Sequence, residues 1–407
     1  MAKPISRANS ENKFAPLWRL DPDVVYLNHG SFGACPKAVL QKQQALRDEM
    51  ETQPVEFLDR TFWPRLNAGR ETAARFVGAD PDGLVFVANA TTGVNAILRS
   101  LDFSSGDEIL LTDHSYGAVK KAALYATART GALVTWAHVP FPIGSEDDAV
   151  EAVLAAATFK TRLAIIDHVT SPTGIVLPVK RIVDRLQERG IDCLIDGAHA
   201  PGMLPLNIEE LGAAYYTGNG HKWLCAPKEA GFLYVREDKR DLVHPLAISH
   251  GLDVKDGDRP RLQMEFDWVG TSDPTAWLCL AEAVRYMGSL LPGGWPELME
   301  TNRALALAAR RLLADRLGVA LPCPDSMIGT LAALPLPDGD NAPDAGWPGD
   351  DPLHIALYDR HRIEVPIMRW PAPPKRLVRI SAQLYNSLAQ YEALAEALTT
   401  ELKKEDR

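Results

Sequence analysis

Paired cysteines, an excess of basic charge and long apolar runs are all missing from this chain. Its 407 residues hold five cysteines, Cys35, Cys193, Cys225, Cys279 and Cys323. The number is odd, the positions are scattered and no two stand in a C-x-x-C spacing, so neither a disulfide framework nor a zinc site is expected, and a reducing compartment is. Lys and Arg number 43 against 53 Asp and Glu, a formal net charge of −10. That balance lacks the clustered cations that release counterions from a phosphate backbone, so nucleic acid is not an expected partner. No apolar stretch approaches the ~18 residues of a membrane span. The first residues, 1–14, carry charges and no apolar core of a leader, so no membrane partner is expected and the expected location is cytoplasmic. No G-x-G-x-x-G or G-x-x-x-x-G-K-[ST] pattern sits at a strand-to-helix turn, which disfavours a dinucleotide or nucleoside triphosphate and leaves a ligand with a single phosphate group as the better fit.

What is present has ordinary globular composition and length enough for two or more units. Short apolar runs at 84–88, 108–112, 133–137, 162–167, 192–195, 214–217 and 231–235 alternate with amphipathic stretches at 116–129, 146–157 and 179–189. That alternation predicts βαβ units and an α/β fold: a seven-stranded, mainly parallel sheet flanked by helices. A further helix is expected at 37–50. Beyond about residue 270 the spacing predicts long helices at 274–288 and 295–317. A Pro/Gly/Asp-rich loop at 335–352 follows, and the whole reads as a smaller α+β C-terminal unit. The expected division is a large unit over 24–270 and a small one made of 1–23 with 271–407.

Three segments carry chemistry. In 213–228 an apolar strand runs into a Gly-rich turn bearing Lys222 between His221 and Trp223, surroundings able to desolvate an amine and lower its pKa. Taken alone, such a lysine reads as a solvated loop charge. In 193–202 Asp196 closes an apolar run, with His199 three residues on. Strand C-termini are where open α/β sheets place ligands, although a helix cap accounts for the same aspartate. In 86–95 a strand meets a helix start at Thr91 and Thr92, where free N–H groups and the helix dipole favour a phosphate, or where the threonines simply cap.

Seven pieces in order then resemble one family. They are 26–33 (Tyr-Leu-Asn-His-Gly-Ser-Phe-Gly), 89–93 (Asn-Ala-Thr-Thr-Gly), 112–117 (Thr-Asp-His-Ser-Tyr-Gly), 167–174 (Asp-His-Val-Thr-Ser-Pro-Thr-Gly), 196–199 (Asp-Gly-Ala-His), 220–224 (Gly-His-Lys-Trp-Leu) and 379–386 (Arg-Ile-Ser-Ala-Gln-Leu-Tyr-Asn). Together they resemble the class V branch of pyridoxal-phosphate enzymes, and within it the isopenicillin N epimerase-like subgroup of the fold type I architecture. The resemblance implies pyridoxal 5'-phosphate as cofactor, bound covalently by Lys222, which also moves the Cα proton. Asp196 would pair with the ring nitrogen and His199 with the ring hydroxyl. His114 would stack on the ring, with Tyr116 close by. Thr91, Thr92, Asn219 and His221 would hold the phosphate, with Thr271 reaching the site of a neighbouring subunit in a homodimer. Arg379 would take the α-carboxylate of an amino-acid substrate through a bidentate fork, with Ser171 nearby and Asn28, Gly30 and Ser31 lining the same pocket.

His29 reads equally as a core histidine, and Arg369 and Arg376 as surface charges. The loop before Arg379, 363–378, holds no cysteine, unlike the sulfur-accepting loop of the family's cysteine desulfurases. The implied activity is labilisation of the α-hydrogen of an amino acid, with epimerase or racemase first. A carbon–sulfur lyase on cysteine-type substrates comes second, an aminotransferase third, and a noncatalytic ligand-binding protein is the remote alternative.

Overall fold

The computed structural model describes residues 12–253, 259–340 and 351–405. After a short strand β1 (Val25–Tyr26), seven strands form the large sheet: β2 (Leu84–Val87), β3 (Glu108–Thr112), β4 (Leu133–Ala137), β5 (Thr161–Asp167), β6 (Asp192–Gly197), β7 (Tyr215–Asn219) and β8 (Gly231–Val235). Their order is β2-β8-β7-β6-β5-β3-β4; β8 alone runs antiparallel to its neighbours. All strands but β4 are buried almost end to end, as parallel strands covered on both faces must be, which is why they read as unbroken apolar runs. The covering helices bury single stripes: Val179, Ile182, Val183 and Leu186 in Val179–Gln187 recur at helical spacing. The chain leaves β3 in one direction for β4 and returns on the other side to β5. The strand C-termini around this reversal are where a ligand crevice opens in an open α/β sheet.

Beyond the large sheet, β9 (Leu331–Leu336), β11 (Ile367–Met368) and β12 (Arg376–Ser381) form a small antiparallel sheet, order β11-β12-β9. Helix Gly294–Leu317 lies against β9 and against the last helix, Leu388–Glu405. Strand β1 pairs in parallel with β10 (Ile363–Glu364), so the backbone just after residue 24 is hydrogen-bonded to the C-terminal region. The helix expected at 274–288 is two helices, Thr275–Leu278 and Leu280–Gly288, meeting at Cys279. The loop expected at 335–352 begins inside a strand, since Pro335 and Leu336 belong to β9; its centre, 341–350, lies outside the described residues. No helix among the described residues is long and apolar enough to cross a membrane.

Candidate functional site

At the C-terminal ends of the large sheet lies a cavity of about 220 Å³. Asp167 ends β5, Asp196 is the penultimate residue of β6 and Asn219 ends β7. All three line the cavity, with Asn89, Ala90 and Thr91 after β2, Tyr116 after β3 and Lys222 after β7. The helix Ala90–Ser100 starts there because Asn89, extended, accepts the Thr92 N–H on its side chain. Asn219 Oδ1 takes the Ala90 N–H at 2.8 Å. The helix therefore points its electropositive end into the cavity.

Lys222 is held by its own backbone. Gly220 N–H donates to Ala230 O at 2.7 Å and Cys225 N–H donates to Lys222 O at 3.0 Å, closing a tight turn with Cys225 at φ 58°. His29 sits 3.0 Å from the same carbonyl through Nε2, and its Nδ1 lies 2.7 Å from the Tyr385 hydroxyl. A carbonyl only accepts, so the proton is assigned to Nε2 and Nδ1 accepts from Tyr385. Burial holds the His29 pKa down at about 3, so the ring stays neutral. Gly33 completes the clamp: a Cβ there would stand 2.3 Å from the His221 carbonyl oxygen and 2.8 Å from Lys222 Cα, both backbone atoms. Gly33→Ala is expected to destabilise the fold by about 1–3 kcal/mol through overpacking. The loss would show as a lower urea midpoint, and a midpoint equal to that of the unmodified protein would mean the lysine turn is not held in this way.

The electrostatics follow from burial. Desolvation, reinforced by the Arg379 charge and partly opposed by Asp196 and Asp167, lowers the Lys222 pKa from 10.5 to about 7, so much of the amine is free base near neutral pH. Its Nζ lies 3.2 Å from His199 Nε2. Trp223 Nε1–H points at His199 Nδ1 from 3.5 Å, and burial keeps the His199 pKa well below the usual histidine range. Arg379 stands behind two cavity-lining serines: its Nη atoms donate to the Ser31 hydroxyl at 2.7 Å and to Ser171 O at 2.6 Å. Among the described residues no carboxylate pairs with it and its Nε–H finds no acceptor. Desolvation accordingly pulls its pKa down to about 10. A buried guanidinium without a counter-charge is a costly arrangement that an incoming anion relieves.

Of the residues picked out by sequence, Lys222, Asp196, His199, Tyr116, Thr91, Asn219, His221, Ser171 and Ser31 line this cavity. His114 does not: its ring is fully buried, Nδ1 with the Thr173 hydroxyl and Nε2 with Val139 O, and meets Trp370 at a tilt of 54°, 4.5 Å between centroids. Tyr116, 46% exposed, is the ring that faces the cavity from this loop. Thr92 is withdrawn because both its N–H and its hydroxyl are used by Asn89 Oδ1. Asn28 is turned to Glu364, and the Gly30 N–H to the Ser381 hydroxyl. Thr271 is exposed in the turn after Gly270 and does not line the cavity of its own chain. Arg376 is no surface charge; it is buried between Asp351 and Glu405, and Arg369 pairs with Asp340 and Asp351. Asp167 was missed, although it carries the signal that marked Asp196, an acid ending an apolar strand.

The family model for class V aminotransferases matches residues 25–394. The chain belongs to that family. Class V relatives include isopenicillin N epimerase of Amycolatopsis lactamdurans, 36% identical over 95% of its length and 93% of this chain. Another is a probable chloroplastic L-cysteine desulfhydrase of Arabidopsis thaliana, 31% identical over 86% of its length and 97% of this chain. Among solved structures, the cystine C–S lyase C-DES, bound to its product cysteine persulfide, superposes with TM-score 0.75 at 23% identity, over 92% of this chain and 97% of that one. A cysteine desulfurase of Thermococcus onnurineus NA1 does so with TM-score 0.76 at 20% identity, over 99% of both chains. These two likenesses show the fold, fold type I. Membership of the class V aminotransferase family makes the chain an enzyme with pyridoxal 5'-phosphate as cofactor. The cavity fits that molecule. An acid suited to a ring nitrogen (Asp196), an amine suited to an aldehyde (Lys222) and a helix N-terminus suited to a phosphate (Thr91) border one space.

Proposed function

We propose that this enzyme labilises the α-hydrogen of an amino acid and inverts its configuration, as an epimerase or racemase. The observation that carries the reading is one cavity lined by a near-neutral Lys222 amine and the Asp196 carboxylate, with the uncompensated Arg379 guanidinium directly behind its lining serines Ser31 and Ser171. When bound, the cofactor supplies an aldehyde that takes up amines and a ring that accepts the electron pair of a bond breaking at Cα. Thr91, Asn219 and His221 hold its phosphate, Asp196 its ring nitrogen and His199 its hydroxyl. Arg379, with Ser31 and Ser171, fixes the substrate carboxylate in a bidentate fork and so orients Cα towards Lys222 Nζ, which takes its proton.

Inversion needs a second proton carrier on the opposite face. Both nitrogens of His29 are occupied, whereas Tyr116 lines the cavity, and we assign the role to Tyr116. In this reading residues 24–270 hold the cofactor, and the unit made of 1–23 and 271–407 brings Arg379. A second copy of the chain supplies Thr271 to the phosphate, and the enzyme works in the cytoplasm. A carbon–sulfur lyase acting on cysteine is the second reading, favoured by the likeness to a probable L-cysteine desulfhydrase over 97% of this chain.

Incubation of the holoenzyme with single amino acids in heavy water separates the two. Deuterium at Cα with loss of optical activity is the expected result. Keto acid with released sulfide would give the site to the lyase, and keto acid with conversion of the cofactor to its amine form would give it to an aminotransferase.

A further inference from the structure

Asp167 is a second buried carboxyl in the cofactor cavity, and none of the roles assigned above uses it. Strands β5 and β6 pair so that Asp167 and Asp196 are direct register partners. Both side chains line the same cavity, and the residues are only 3% and 4% exposed. Parallel-strand partners lie about 4.8 Å apart across the sheet. Two carboxylates on neighbouring strands, both desolvated and facing one cavity, repel enough that one retains its proton.

We propose that Asp167 and Asp196 form a carboxyl pair sharing a single proton behind the cofactor, with the proton on Asp167, so that the site presents one negative charge to the ring nitrogen. The proposal rests on the reading of this cavity as the pyridoxal-phosphate site.

The surroundings fix which member keeps the proton. Burial raises the pKa of Asp196 too, but the Ala198 N–H it accepts at 3.0 Å and the Lys222 charge both oppose that rise and favour its anion. Asp167 accepts from the Ser115 hydroxyl and the Tyr116 N–H on the β3 side and feels Lys120 from the helix Gly117–Ala128. Burial and the Asp196 charge outweigh these and push its pKa up to about 8. Lys120 is a weak counter-ion because its Nζ donates to the Asp113 carbonyl at 2.6 Å and burial lowers its own pKa. His199 faces the pair from the loop after β6 but stays neutral.

With one shared proton, the ring nitrogen meets a single anion and Lys222 remains a near-neutral amine. A doubly ionised pair would hold the protons on the ring nitrogen and on Lys222 more tightly. Asp167 is thus a positioning residue for charge: it sets how strongly Asp196 and Lys222 hold their protons.

Infrared difference spectra of the holoenzyme carrying carboxyl-labelled aspartate test this directly. At pH 6.5 the wild-type protein should show the C=O stretch of a protonated aspartic acid, lost as pH rises through about 8 and missing in Asp167→Asn from pH 6.5 upward. The bound cofactor's visible absorbance should shift over that same interval in wild type and not in Asp167→Asn. At pH 6.5 the amide variant should hold the cofactor with an affinity within roughly threefold of wild type, whereas Asp196→Asn should lose about tenfold or more, the equivalent of one pKa unit. The wild-type infrared measurement stands even if a variant fails to fold.

A wild-type spectrum without the protonated band, or a band that survives in Asp167→Asn, overturns the shared proton. So do absorbance profiles of wild type and Asp167→Asn that coincide. Wild-type protein that takes up no pyridoxal phosphate fails differently, by removing the site reading on which the pair depends.

Discussion

Lys222→Ala is expected to abolish the borohydride-sensitive visible band of the protein incubated with pyridoxal phosphate, and to lower turnover by roughly 10²- to 10⁴-fold, the range for losing a positioned general base. The expectation rests on the state of the amine. In water a lysine at pH 7 is almost wholly protonated and neither attacks an aldehyde nor accepts a proton. Here burial and Arg379 bring its pKa from 10.5 to about 7. The sign is fixed: a lowered pKa enlarges the free-base fraction at any given pH, so the rate of cofactor capture by apoprotein should climb about tenfold per unit below pH 7 and level off above it. Stopped-flow absorbance checks the profile, and reduction followed by peptide mapping checks the residue. A mutant that still forms the reducible adduct, or a capture rate rising steadily to pH 10, would contradict the assignment of the amine.

Arg379→Ala is expected to cost about 3 kcal/mol of transition-state binding, roughly a hundredfold in kcat/KM, because truncating one partner of a desolvated charge pair leaves the substrate carboxylate buried without a cation. Arg379→Lys should recover only part of this, since an ammonium offers a point charge where the guanidinium offers a fork aligned by Ser31 and Ser171. The two effects separate cleanly from folding. No carboxylate among the described residues pairs with Arg379, and its Nε–H is unsatisfied, so the desolvation penalty its removal relieves offsets the lost hydrogen bonds to Ser31 and Ser171, and the melting temperature should change little. Steady-state kinetics beside calorimetry decide the matter. Unchanged kcat/KM, or a collapse of stability alongside the kinetic loss, would make Arg379 a structural residue.

Most of the fold was legible because both faces of the large sheet are covered, which turns each strand into an apolar run visible without context. The misjudged ends have a common cause. Strands β6 and β7 were expected to stop at 195 and 217, where glycine signals a turn, yet both run two residues further. In the folded protein those glycines are seats for rings: a Cβ on Gly197 would meet the Tyr216 ring, and one on Gly218 the Phe232 ring, at 2.2–2.8 Å. That need for space is tertiary and leaves no local mark.

The site shows the same division. Lys222 and Asp196 were readable because their chemistry follows from residue type and position after a strand. The direction of a side chain was not. His114 lies in the right loop, but Thr173 and Val139, 59 and 25 positions away, capture both its nitrogens. Arg376 looked like surface charge because its acids, Asp351 and Glu405, are distant in sequence.

The clamp on the lysine turn also dictates an order of events during synthesis. His29 grips the Lys222 carbonyl from one extremity of the chain, and Tyr385 grips His29 from the other. When the ribosome has just released the large sheet, the amine is present but its turn is unsecured and the guanidinium of residue 379 has not emerged. Closure across more than 350 residues must precede a finished binding site, a contact of high sequence separation that slows assembly. A chain cut before residue 379 would lack both the far anchor of the lysine turn, Tyr385, and the Arg379 guanidinium.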